Sequence, residues 1–164
     1  MERSTASPSG LAWTAILVLG IALMVPSIFS GFVLDDFVYQ EILQGRIPFM
    51  PPSSELFRFL TSDAEQTAEF ASQGYFPWWI EEDIGIAFFR PLSASLMRVE
   101  DLLFPDRPLV HHLHSLLWWG VLLTVVLLLF KRLFPGPVGW LALMLFALDE
   151  SHVLPAGWIA NRNA

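Results

Sequence analysis

Two adjacent carboxylates, Asp35 and Asp36, end a long uncharged run in the stretch GFVLDDFVYQ. A carboxylate at a membrane surface can take a proton from an acceptor hydroxyl, or can ligate a metal or a diphosphate. The plainer role is capping the helix that follows, for which one acid suffices. Arg90, between Phe88-Phe89 and Pro91, is either a clamp for phosphate, which guanidinium suits well, or a snorkelling arginine. In HHLH, His111 and His114 lie at i, i+3 and share a helix face. With Asp149, Glu150 and His152 they make a candidate polar site, or a nitrogen and oxygen set for a divalent metal. The spacing matches no strong zinc motif, and interfacial hydrogen bonding is the simpler role. Arg162, in GWIANRNA, suits a lipid headgroup or a lipid-linked phosphate, and Trp158 in the same stretch reads as an interface anchor. The sequence has no Gly-rich phosphate loop, Ser/His/Asp order or HExxH, and no cysteine for a disulfide or a zinc thiolate.

The elements that must carry these residues are mostly membrane helices. The chain is 54% hydrophobic, and the apolar residues come in blocks rather than dispersed. Residues 11–34 carry no charge and, at ~1.5 Å per residue, can cross a ~30 Å hydrocarbon core. Ile28-Phe29-Ser30 makes a poor signal-peptide cleavage site, so an uncleaved anchor is expected. A second span is expected near 109–130, with Trp118 and Trp119 towards one end and Lys131-Arg132 closing it in a short loop. A third is expected near 138–157, after Pro135-Gly136-Pro137. VGWLALMLFAL alone is too short to cross, so the span must continue through Asp149, Glu150 and His152. Ionisable residues at that depth mark function by default. The alternative is a helix that ends at Leu148.

Charge gives the orientation. Lys131 is the only lysine, and it sits beside Arg132. Residues 31–110 hold thirteen acids and five arginines, a net of −8. By the positive-inside rule the N-terminus with Arg3 and the KRLFPGP loop are cytoplasmic, and 35–107 lies outside. The acidic balance, −7 overall, argues against nucleic acid as a partner. The outer segment is too long for a connector. FVYQEILQG, capped by Asp35 or Asp36 and stopped by Gly45, SSELFRFL, and DAEQTAEFASQG read as short helices. IPFMPPSS is a turn-rich break, and YFPWWI is an aromatic cluster suited to headgroups. From Pro91, the residues Leu92, Leu96, Val99 and Leu103 recur at helical spacing, as in an amphipathic helix lying on a membrane. The expected class is thus an all-α membrane protein with about three spans and a large, partly helical non-cytoplasmic loop.

In order, FVLDDFVYQEILQG, FFRPLSASLMRVEDLLFPDRPLVHHLHSLLW and ALMLFALDESHVLPAGWIANRNA resemble the N-terminal part of the multi-spanning GT-C glycosyltransferases. The protein O-mannosyltransferase-like branch is nearest, including bacterial relatives of the transmembrane-and-tetratricopeptide O-mannosyltransferases. The resemblance covers most of residues 11–164 and is loose over 47–80. It implies a bacterial plasma-membrane enzyme with its active site at the non-cytoplasmic face. The reaction implied is inverting transfer of a sugar from a polyprenyl-phosphate donor to a hydroxyl of a protein or a lipid-linked glycan. It implies a general base at Asp35 or Asp36, donor phosphate held by Arg90 and Arg162, and a polar site that includes His111 and His114. The chain departs from the pattern after the third span. DESHVL keeps only His152 of a His-Pro-x-His-x-Glu run, and Asn163 stands where an acid is common. Such enzymes have nine or more spans, so residues 1–164 are expected to be a truncated N-terminal part. Two other classes fit the same residues: a membrane-anchored partner or assembly subunit, and a metal-handling membrane protein.

Overall fold

The computed structural model describes residues 10–47 and 55–162. The proline-rich break over 48–54, Arg3 and Asn163 lie outside them. The chain divides into two compact units: residues up to Val33 together with Arg107–Arg162, and Leu34–Asp106.

The first unit is a helical bundle. Helix α1 (Gly10–Ala22) runs on into a 3-10 turn over Val25–Phe29, and together they are long and apolar enough to cross a bilayer. The tightening begins where the Met24 N–H bonds the Ile21 carbonyl at 3.0 Å, and Pro26, which has no N–H to give, lies within it. The span therefore ends at Phe29, short of the expected Leu34.

A second helix of sufficient length and apolarity covers Pro108–Leu133. This is helix α5. Lys131 and Arg132 form its last turn rather than a loop, where cations offset the partial negative charge of a helix C-terminus. The Lys131 ammonium lies 5.4 Å from the Trp13 ring centre. Helix α6 (Pro137–Leu148) is followed by a 3-10 turn (Glu150–His152) and by α7 (Val153–Gly157). The two arms meet at 46°, so a third crossing would be a broken one. Asp149 makes the bend. Its backbone is extended, and its carboxylate accepts the Ser151 N–H at 2.9 Å. A final 3-10 turn spans Ile159–Asn161. Two helices long and apolar enough to span a bilayer, or three if the bent pair is one span, are consistent with a membrane protein.

The bundle core contains Trp13, Ile16, Trp119, Leu123, Leu143 and Ala147. Gly20 of α1 lets the helices meet: a Cβ there would lie 2.9 Å from Leu123 Cδ1 and 3.2 Å from Ala147 Cβ. Small residues at such crossings let backbones approach closely, which is how helices associate in lipid.

The second unit has its own core. Helix α2 (Asp35–Leu43) ends at Gly45, whose φ of +68° few other residues adopt. The Arg46 N–H then closes on the Glu41 carbonyl at 2.9 Å, as in a glycine-stopped helix. Strand β1 (Arg58–Thr61) pairs antiparallel with β2 (Gly85–Ala87), through an irregularity between Arg58 and Leu60. Of the expected helix in SSELFRFL, the last three residues, Arg58–Leu60, are strand instead. In RFLT, Leu60 is buried at 1% exposure while Arg58, two residues earlier, is exposed; regular alternation would put both on one face, and the irregularity between them breaks it. Between the strands lies α3 (Ala64–Ser72), as expected from DAEQTAEFASQG. Its N-cap Asp63 accepts the Glu65 and Gln66 N–H groups. Helix α4 (Pro91–Leu103) starts on Pro91, as expected. Leu56, Phe57, Leu60, Phe70, Met97 and Ile42 are among the buried residues of this core.

Candidate functional site

The acid pair opens α2, where the helix dipole favours negative charge. Neither aspartate is the N-cap. Leu34 holds that position without a side-chain hydrogen bond, at φ 48°, a conformation that is costly for leucine. The chain thus turns into the helix one residue earlier than a capping aspartate requires, and both acids fall within the first turn. Their environments differ: Asp36 is 3% exposed, whereas Asp35 faces solvent.

Helical spacing puts Tyr39 on the same face, four residues after Asp35 and three after Asp36. Its ring meets Phe57 edge-on at 5.8 Å and lies 6.2 Å from Phe59. The strand ribbon then brings in Arg90. The Phe88 N–H bonds the Phe57 carbonyl at 2.9 Å, which extends the ladder beyond β2. The Arg90 guanidinium lies 5.6 Å from the Phe57 ring centre and 5.3 Å from that of Phe88. Phe57 is therefore a shared neighbour of Tyr39 and Arg90.

Burial pushes the Tyr39 phenol up to about 12. The charges of Asp35 and Asp36 add to the rise, and Arg90 opposes it. The acid pair and Arg90 thus all act on one hydroxyl. A cleft of about 390 Å³ opens beside Arg90, lined among others by Glu55, Phe57, Arg58, Phe88 and Phe89. Arg58 is paired with Glu55 at 2.9 Å, so Arg90, set among aromatic faces, is the group of this wall suited to an anionic ligand. Tyr39 was not among the residues singled out from sequence. Its spacing after the acids was the available signal.

The other predicted residues belong to the bundle, and there the histidines go separate ways. His111 is buried with its ring edge-on to Phe32 at 5.7 Å. His114 receives the Trp118 indole N–H on Nε2 at 2.6 Å, while Arg162 approaches its Nδ1 at 3.3 Å. A neutral imidazole has one lone pair to offer, so these two donors compete for it. His152 packs between Trp119 and Phe146, with ring centres 4.9 and 4.5 Å away. A cavity of about 150 Å³ is lined by Ser115, Trp118, Trp119, His152 and Arg162, among others. Asp149 is engaged at the bend, and Glu150 is exposed. Among the described residues, no three His, Asp or Glu side chains are gathered so as to hold a metal ion.

His112, which the i, i+3 reading passed over, is the most buried of the four at 1% exposure. Its Nε2 lies 2.9 Å from the Gly31 carbonyl and 3.2 Å from Ser30 Oγ. A carbonyl only accepts, so Nε2 carries the proton. This histidine fastens the turn after the first span to α5. Trp158 makes a similar tie, its indole donating to the Val33 carbonyl at 3.1 Å.

No family model, curated protein or solved structure matches the chain.

Proposed function

We propose that the chain belongs to a membrane glycosyltransferase that moves a sugar from a polyprenyl-phosphate donor to a hydroxyl acceptor with inversion. The reading keeps the orientation drawn from charge, with Leu34–Asp106 on the non-cytoplasmic side. What supports it is one arrangement: Tyr39, on the helix turn that the acid pair opens, and Arg90, far away in sequence, both lie against the Phe57 ring.

The roles follow from exposure. Asp35, open to solvent, is the general base: it takes the proton as the acceptor oxygen bonds to the anomeric carbon. The bond from that carbon to the donor phosphate oxygen breaks, and the electron pair leaves with the phosphate. Arg90 meets the charge that develops on the phosphate, in a wall of low polarity where such an interaction is strong. Asp36, buried, is a positioning residue. Transfer from a labelled polyprenyl-phosphate sugar, measured in native membranes, tests the assignment. Asp35→Asn is expected to lower turnover by about 10²–10⁴-fold, the usual worth of a general base. Undiminished transfer by an Asp35→Asn, Asp36→Asn double variant would remove the base from this pair.

A further inference from the structure

Helix α4 is built inside out for a water-soluble unit. Its buried positions are Ala94, Met97, Glu100 and Asp101, while Leu92, Val99 and Leu103 stand 71%, 51% and 64% exposed. A surface helix normally turns its apolar stripe to the core and its charges outward. Here Glu100 and Asp101 face inward, and Arg98 gives a hydrogen bond to the Leu43 carbonyl at 3.2 Å. Leu92, Leu96, Val99 and Leu103 recur at alternating steps of four and three along the helix, Leu96 half-buried and the others exposed, and Phe89, just before the helix, is 95% exposed.

We propose that this stripe is seated in the bilayer interface, with α4 lying along the membrane surface as the anchor of the Leu34–Asp106 unit. The occupant is lipid, for two reasons. Only Phe104–Arg107 separates α4 from α5, a helix long and apolar enough to cross a bilayer. Four residues reach at most about 14 Å, so the end of α4 is held near the surface that α5 enters. An apolar stripe confined there meets acyl chains at the headgroup boundary, where amphipathic helices bury such faces. The second reason is charge. The segment 31–110 carries thirteen acids against five arginines, so anionic headgroups repel it. Its attachment rests on apolar insertion, and is expected in zwitterionic lipid and insensitive to salt. The inference does not depend on the enzymatic reading.

The absence of cysteine allows a direct test. Single cysteines at Phe89, Leu92, Val99 and Leu103, and at Ser72 on α3 as an exposed polar control, are spin-labelled in the full chain. The chain is reconstituted in phosphatidylcholine vesicles. Collision with oxygen, which concentrates in lipid, is compared with collision with a water-soluble nickel chelate. The expected result is an oxygen-to-chelate ratio several-fold higher at the four stripe positions than at Ser72, unchanged by added anionic lipid. Stripe labels as open to the chelate as Ser72 would overturn the proposal by showing a solvated face. Labels shielded from both reagents would overturn it equally, by showing a protein cover such as a second copy.

Discussion

Trp119→Phe isolates a bond that the first span needs because it tightens. In a continuing α-helix the Gly20 carbonyl would accept the Met24 N–H. That N–H bonds Ile21 instead, and the Trp119 indole of α5 donates to Gly20 at 2.9 Å. Trp119 is 4% exposed, so water cannot replace it. Phenylalanine keeps most of the ring and removes only the donor. Side-chain hydrogen bonds between membrane helices average about 0.6 kcal/mol, with a maximum near ~1.7. An orphaned buried carbonyl costs about 1–3 kcal/mol. The bond bridges two helices at a break in the backbone pattern, so the upper part of the first range applies: about 1–1.7 kcal/mol. Trp119→Ala also loses the contacts to Phe146 and His152 and opens a cavity, for about 3–5 kcal/mol. Reversible unfolding in mixed detergent micelles measures both. If Trp119→Phe unfolds like the wild type while Trp119→Ala is strongly destabilised, packing holds the helices and the hydrogen bond contributes nothing.

Three further outcomes are expected. Tyr39 should titrate near pH 12, followed by tyrosinate absorbance in a Tyr75→Phe background. The folded unit holds this proton after an unfolded tyrosine has lost it at about 10. Stability from this group is therefore intact below pH 10 and falls as pH rises to about 12. A Tyr39 that titrates near 10 would mean the ring is solvated. Glu41 receives two hydrogen bonds from Arg46, at 2.7 and 2.6 Å, which hold its carboxyl below the usual range. This contribution is present above the ordinary glutamate pKa and is lost as pH falls through the lowered one. Glu41→Gln should therefore flatten the acid limb of the stability curve, read by circular dichroism against pH. Gly20→Val should cost about 1–3 kcal/mol in the same micelle assay, as overpacking does. Leu123→Ala in the same chain should recover part of that cost, because Leu123 is the nearest atom to the new side chain.

The sequence was most legible where one physical rule acted alone. The uncharged runs located the two long helices, Pro91 located the start of α4, and Gly45 located the end of α2. It was misread where two rules compete. SSELFRFL carries enough polar residues for a helix, and its buried Leu56, Phe57 and Leu60 follow no strict alternation, yet Arg58–Leu60 pair with β2. Pairing with a distant strand leaves no local mark. Trp118 and Trp119 looked alike from sequence, both towards one end of the second span. Adjacent positions on a helix point about 100° apart, and Trp119 turned inward to a carbonyl while Trp118 stayed half exposed. HHLH drew attention to its metal-like pair and away from His112, whose importance depends on the Gly31 carbonyl. That carbonyl is invisible to any spacing argument.

The acid pair shows how far exposure can sharpen such a reading. From sequence, Asp35 and Asp36 were interchangeable, and capping could have used either. With Leu34 in the cap, neither is needed there, and the helix turn separates them into one buried and one open carboxylate. A general base must reach its substrate, so burial argues for Asp35 on physical grounds alone. The same logic assigns Tyr39. Its ring and the Arg90 guanidinium both lie against Phe57, so under the proposed reaction the hydroxyl stands near the group that meets the donor phosphate. Tyr39→Phe removes the hydroxyl and leaves the ring against Phe57. If the hydroxyl orders the charges, this variant should lower turnover while leaving stability near the wild-type value. Equal loss of both would make Tyr39 a packing residue, and the meeting of acids and guanidinium a consequence of the fold.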